Sequence, residues 1–108
     1  MNKWIIIGNL TRDPEMRKTK DGRDVCHMTV AVNRKGKDDR ADYVSVSSWG
    51  QLGANCAQYL SKGRKVCCVG TASPTGYIGQ DGSVISGMNM DAETVEFLDT
   101  SKENRTTE

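Results

Sequence analysis

Three groups of residues have types and spacings that could do chemistry. The first is sulfur and imidazole: Cys26, Cys56, Cys67 and Cys68, with His27 as the one histidine. Zinc sites draw on closely spaced ligand pairs. The close pairs here, Cys26-His27 and Cys67-Cys68, are adjacent residues. Neighbours on a strand point to opposite faces, so neither pair readily shares a metal. The expected role of the cysteines is that of small buried hydrophobes. The second group, Asp13 and Glu15, looks like an acid pair, but Pro14 between them reads as a turn and no hydrolytic site is expected. The third group is aromatic. From Asp42 to Trp49 the chain alternates, with Tyr43, Ser45, Ser47 and Trp49 on one side and Val44, Val46 and Ser48 on the other. The valines can face a core. The opposite face then carries hydroxyls bracketed by two large aromatics, a pattern that suits a binding surface.

The elements around that segment must position it. Lys3 to Leu10 is an Ile-rich strand, and Thr11 to Glu15 and Asp21-Gly22 are turns. Val25 to Asn33 alternates, with Cys26, Met28, Val30 and Val32 as its core side. Arg34 to Arg40 is a charged loop. Gln51 to Leu60 reads as a short helix, because Leu52, Cys56, Tyr59 and Leu60 recur at helical spacing and Gly63 follows as a stop. Lys65 to Thr71 is a strand, interrupted at Pro74 and Gly76, with a hairpin tip at Gln80-Asp81-Gly82. Val84 to Leu98 is a weaker strand, bent at Gly87, and Phe97 is expected in the core. Three strands, a helix and two strands match an all-β, five-stranded OB-fold barrel with one short helix between strands 3 and 4.

With 108 residues the chain has room for one domain, expected over residues 1–98, followed by a short polar segment, 99–108, expected to be disordered. Its longest apolar run is Trp4 to Ile7, far short of the roughly 18 residues a spanning helix needs. No small-residue cleavage site follows that run, so no signal peptide and no membrane association are expected, and the expected compartment is the cytoplasm. The net charge of +1 hides an asymmetry. Residues 1–68 hold 13 Lys and Arg against 7 Asp and Glu, and residues 69–108 hold 2 against 7. The basic part has the sign needed to meet a polyanion.

Five blocks in order carry a resemblance: Gly8 to Glu15 with Arg17, Thr19 and Gly22; Ala31 to Arg34; Asp42-Tyr43-Val44 with Trp49; Tyr59 to Gly63 with Val66 and Gly70; and Tyr77, Gly82 and Glu96-Phe97-Leu98. The match covers about residues 1 to 98. The chain resembles the bacterial-type single-stranded DNA-binding protein family. The resemblance implies the OB-fold, sequence-independent binding of single-stranded DNA in replication, recombination and repair, and a cytoplasmic, nucleoid-associated protein. It implies no catalysis and no cofactor. It also implies a homotetramer in which first strands pair across a two-fold axis, placing Lys3, Trp4, Ile5 and Ile6 at the subunit interface.

Such a binder needs flat apolar surfaces for bases and cations for the backbone. By the resemblance, Trp49, Tyr43 and Tyr77 fall at stacking positions, and Lys62 falls at a basic position that would meet phosphate. Arg34, Lys35, Lys37, Arg40, Arg64 and Lys65 are further phosphate candidates. Three departures stand out. Gly36 lies near where relatives often place another aromatic, Ser73 to Gly76 is neutral where they are often basic, and the chain stops at Glu108 without the acidic tip through which relatives recruit replication and repair proteins. Weaker or more salt-sensitive binding per subunit is expected, and recruitment through a tail is not supported. The competing readings are an OB-fold interaction subunit of a replication-restart complex, a thiol or metal enzyme, and RNA as the ligand.

Overall fold

Period-two alternation of apolar and polar residues builds most of this chain. A computed structural model describes residues 1–33, 41–78 and 84–98, and the side chains of 1–33, 41–73 and 88–98. Its elements are β1 (Trp4–Leu10), β2 (Glu15–Lys18), β3 (Asp24–Asn33), β4 (Ala41–Trp49), α1 (Gly50–Tyr59), β5 (Lys65–Ile78) and β6 (Val84–Phe97). The loop at 34–40, the hairpin tip and the segment 99–108 lie outside the described residues.

Five of the six strands close into a barrel in the order β1-β5-β6-β4-β3. The ring shuts where Asn9 pairs with Ala31 and Leu10 with Val30. β4 and β6 run parallel, in the register Ser45 to Asn89 and Ser47 to Asp91, and the other pairs are antiparallel. This is the expected OB-fold barrel. Its helix lies between the third and fourth barrel strands, β4 and β5.

The inward phase of each strand supplies the core: Ile6 and Leu10, then Cys26, Met28 and Val30, then Val44 and Val46, then Val66 and Cys68, and Met90. Cys56 of α1 and Leu60, just past its end, join this core. Burying such a side chain contributes roughly 1.5–3 kcal/mol each for the larger aliphatics. Gly8 sits where strands approach at the seam, and a Cβ there would meet the Ala31 carbonyl oxygen at 2.2 Å. Gly63, at a φ of 91°, turns the chain from the helix towards β5.

Several expectations need correcting. β2 was not foreseen between the two turns. It flanks β3 outside the barrel, and all four of its residues are exposed. β5 runs unbroken through Pro74 and Gly76 to Ile78, with Pro74 opposite Met88. Beyond Gly70, β5 has lost its β1 partner, and a proline's missing N–H is tolerated on such an edge. The Asn2 side chain takes the partner's place there, donating to the Ala72 carbonyl at 2.9 Å and accepting from its N–H at 3.2 Å. Phe97, the last residue of β6, is exposed and not core. Its ring lies 6.4 Å from that of Tyr59, the one exposed member of the expected apolar helix face.

Candidate functional site

Register decides which side chains share the outer face of β2, β3, β4 and β6. Val44 and Val46 are buried, so Tyr43, Ser45, Ser47 and Trp49 point outward, as the alternation predicts. Pairing sets their neighbours in rows. Ala31 lies beside Tyr43; Thr29, Ser45 and Asn89 form the next row; Glu15, His27, Ser47 and Asp91 the next; and Arg17, Val25 and Trp49 the last. Tyr43 stands free of the sheet with 66% of its surface exposed.

Trp49 is half-buried and held on two sides. Its Nε1–H points at Asp91 Oδ1, at a long 3.5 Å. The Arg23 guanidinium carbon sits over the indole, 4.6 Å from the ring centroid, within cation–π range. The turn from Thr19 to Arg23 aims that side chain. The Thr19 N–H donates to the Arg23 carbonyl at 2.9 Å, and the Arg23 N–H donates to Thr19 Oγ1 at 3.1 Å. Asp21 accepts from Arg23 Nε at 3.1 Å and from the Thr19 hydroxyl. Arg23 was missed in the sequence. Its only local signal is the Asp21-Gly22 turn, and the register that brings it to Trp49 is long-range.

The charges on this face are mixed. Arg17 donates to Glu15 at 2.7 Å, and this bond with the guanidinium charge holds the Glu15 carboxyl below its usual range. Burial, followed by the Arg17 charge, lowers the pKa of His27, so the imidazole is neutral at pH 7. Lys18 pairs with Asp24 at 2.9 Å.

The other candidates lie elsewhere. Lys62, Arg64 and Lys65 cluster where α1 hands back to β5, near the end of β1. The Lys62 N–H donates to Asp13 Oδ1 at 2.8 Å, the Leu10 N–H donates to the Arg64 carbonyl at 2.9 Å, and Lys65 pairs with Asn9. β6 separates β5 from β4, so these cations are not on the Tyr43–Trp49 strand. Asp13 acts in this loop contact, which sets it apart from Glu15. The backbone of Tyr77 lies on β5 opposite Ile85, and its side chain is outside the described set. Arg34, Lys35, Lys37 and Arg40 lie outside the described residues.

On β1 the parity is now fixed. Ile6 points into the core, so its side chain cannot serve at a subunit interface. Ile5 and Ile7, at 62% and 49% exposed, are the outward pair, which four consecutive apolar residues carry no phase to reveal. Trp4 packs partly against the core, and Lys3 pairs with Glu93 at 2.8 Å.

Cys26, Cys56 and Cys68 are fully buried, and burial pushes the Cys26 thiol up to about 11 and that of Cys68 up to about 12. Such thiols stay protonated, unlike those that react as thiolates. Among the described residues no three His, Cys, Asp or Glu group to hold a metal, and no helix is long and apolar enough to cross a membrane.

The sequence finds counterparts among known proteins. The model of the single-strand binding protein family matches residues 1–98. A single-stranded DNA-binding protein of Clostridium perfringens (strain 13 / Type A) is 39% identical over 100 residues, covering 92% of this chain and 67% of that protein. One of Oceanobacillus iheyensis is 33% identical over 104 residues, covering 93% of this chain and 65% of that protein. The single-stranded DNA-binding protein B of Bacillus subtilis (strain 168) is 35% identical over 102 residues, covering 91% of this chain and 90% of its own length. The chain thus spans about two thirds of the length of the first two relatives and most of the third. Five strands closed with a parallel β4–β6 pair, an aromatic outer face and a family match over residues 1–98 lead to one assignment: this chain belongs to the single-strand binding protein family.

Proposed function

We propose that this chain binds single-stranded DNA without reading its sequence and performs no catalysis. The observation that carries this is the outer face of β4, where exposed Tyr43 and half-buried Trp49 bracket the hydroxyls of Ser45 and Ser47 above buried valines. An unpaired strand offers base faces, and every base has a π face, so stacking on such rings is blind to sequence and contributes about 1–3 kcal/mol per base. Tyr43, Trp49 and Tyr77 are the proposed stacking residues. Lys62, Arg34, Lys35, Lys37, Arg40, Arg64 and Lys65 are the proposed phosphate contacts.

The proposal extends to assembly and setting. Copies associate through β1, with Lys3, Trp4, Ile5 and Ile7 facing the partner and Ile6 contributing backbone alone, into a homotetramer. The setting is replication, recombination and repair in the cytoplasm. The names of the relatives support the ligand, and the exposed Ile5–Ile7 pair supports the interface.

Intrinsic tryptophan fluorescence, titrated with an oligothymidine and then with a duplex at low and moderate salt, tests the ligand. Quenching by the single strand and little by the duplex is the expected result. Silence to both, with no binding in a direct assay, would sink the reading in favour of an OB-fold interaction subunit.

A further inference from the structure

We infer that the Arg23 guanidinium, lying against Trp49, extends its stacking surface and receives a base at this end of the sheet. This rests on the single-strand-binding reading above and adds a contact residue to it.

The geometry starts from one distance. The guanidinium carbon is 4.6 Å from the Trp49 ring centroid. Bases stack at a spacing of about 3.4 Å, so a base inserted between the two would need about 6.8 Å. The covered side of the indole is closed to a base while Arg23 stays in place. Arg23 is built to stay: its N–H is bonded to Thr19 Oγ1, its carbonyl accepts from the Thr19 N–H, and its Nε is paired with Asp21. Asp91 at Nε1 fixes the indole from its edge. The result is a ring backed by a positioned cation.

Seen from solvent, that cation is open. The Arg23 side chain is 65% exposed, so the side turned away from Trp49 faces water. Asp21 takes Nε, and the terminal amino groups make no hydrogen bond among the described residues. A planar guanidinium stacks on base faces as it does on aromatic rings, and its free N–H groups suit a phosphate oxygen. A lysine offers charge without the plane. Arg23 therefore combines the two things a single strand needs, a flat face and a positive charge, at one position.

The test uses the full chain, an oligothymidine of about 10 nucleotides carrying a fluorophore, and anisotropy titrations at several salt concentrations. Arg23→Ala is expected to weaken binding about 5- to 10-fold and to lower the salt slope by about 0.7, the share of one phosphate contact on a single strand. Arg23→Lys is expected to keep the salt slope and still bind at least about 3-fold more weakly, because it lacks the stacking plane. Melting curves should match the unsubstituted chain within a few degrees, since the side chain is exposed. Arg23→Ala binding equally or more tightly would show that Arg23 shields Trp49 instead of extending it, and would overturn the inference. Arg23→Lys matching the unsubstituted chain would overturn the stacking role. If the unsubstituted chain itself binds no single strand, the broader reading fails first, and that outcome is visible without any variant.

Discussion

Replacing Tyr43 with alanine separates binding from folding more cleanly than any other change on this face. Tyr43 is 66% exposed, with small Ala31 beside it across the strand pair, so its ring buries little apolar area within the fold. Exposed substitutions of this kind shift stability by about 0.5 kcal/mol or less, and the loss of strand propensity adds at most about 1 kcal/mol. If the ring stacks on a base, its removal costs about 1–3 kcal/mol of binding, roughly 5- to 150-fold in Kd. The assay is anisotropy with a labelled oligothymidine of about 10 nucleotides, short enough to engage one subunit, alongside urea unfolding of the same sample. Tyr43→Phe should bind within about threefold of the parent, because the ring is kept and no hydroxyl contact is invoked. An unchanged Kd for Tyr43→Ala with unfolding intact would refute the stacking role. A loss of more than about 2 kcal/mol of stability would refute the placement of Tyr43 as a free surface residue, because only core or network changes reach that size.

Other parts of the structure carry equally definite expectations. Gly8→Ala should destabilise by at least about 2 kcal/mol in urea unfolding, since its Cβ would sit 2.2 Å from the Ala31 carbonyl oxygen and backbone there cannot give way; near-parental stability would mean the seam is looser than described. Paired Ile5→Asp and Ile7→Asp substitutions should reduce the mass seen by light scattering while leaving the melting curve intact, whereas Ile6→Asp should unfold the chain; an unchanged mass for the first pair would remove β1 from the interface. Stability should fall at alkaline pH. Free thiols ionise near pH 9, while Cys26 and Cys68 resist until about 11 and about 12, so their contribution is complete below pH 9 and is lost as pH rises through that window. The loss is on the order of 1 kcal/mol per thiol per pH unit, and Cys68→Ala should flatten the trend; a urea midpoint level from pH 8 to 10.5 would contradict it.

What was legible in the sequence follows from how local its cause is. The pleat has period two, so β3 and β4 announced their inner and outer faces through Cys26, Met28 and Val30 and through Val44 and Val46. A helix face at Leu52 and Cys56 was legible from its own local spacing, since residues four apart share one side of a helix. β2 was not, because Glu15-Met16-Arg17-Lys18 has no buried side and is held by its pairing with β3 and by surface ion pairs. Trp4 to Ile7 is apolar throughout, so alternation is silent on phase there and only the closed barrel turns Ile6 inward. The Arg23–Trp49 contact depends on Val25 pairing with Trp49, which no local pattern encodes.

Charge gives the sharpest case of sequence order failing to map onto the surface. The first 68 residues are net basic and the remainder net acidic, yet β6 runs beside β4, so the two halves interleave. Asp91 lies next to Ser47 and at the Trp49 indole, and Glu93 neutralises Lys3. Of the cations on the described outer face, Arg17 is paired with Glu15 and Arg23 gives only its Nε to Asp21, while Lys62, Arg64 and Lys65 sit at and just before the start of β5, beyond β6. A strand laid across Tyr43 and Trp49 therefore meets few uncompensated charges among these residues. Between weaker and more salt-sensitive binding, this arrangement selects weaker: few phosphates neutralised means few counterions released, and each contact on a single strand adds only about 0.7 to the slope of log K against log salt. With a short oligothymidine the slope should stay near −1.4, the share of about two contacts. A longer strand that also reaches the proposed phosphate contacts at residues 34–40, 62, 64 and 65 should steepen it, whereas a slope steeper than about −3 with the short one would refute an affinity led by stacking on this face.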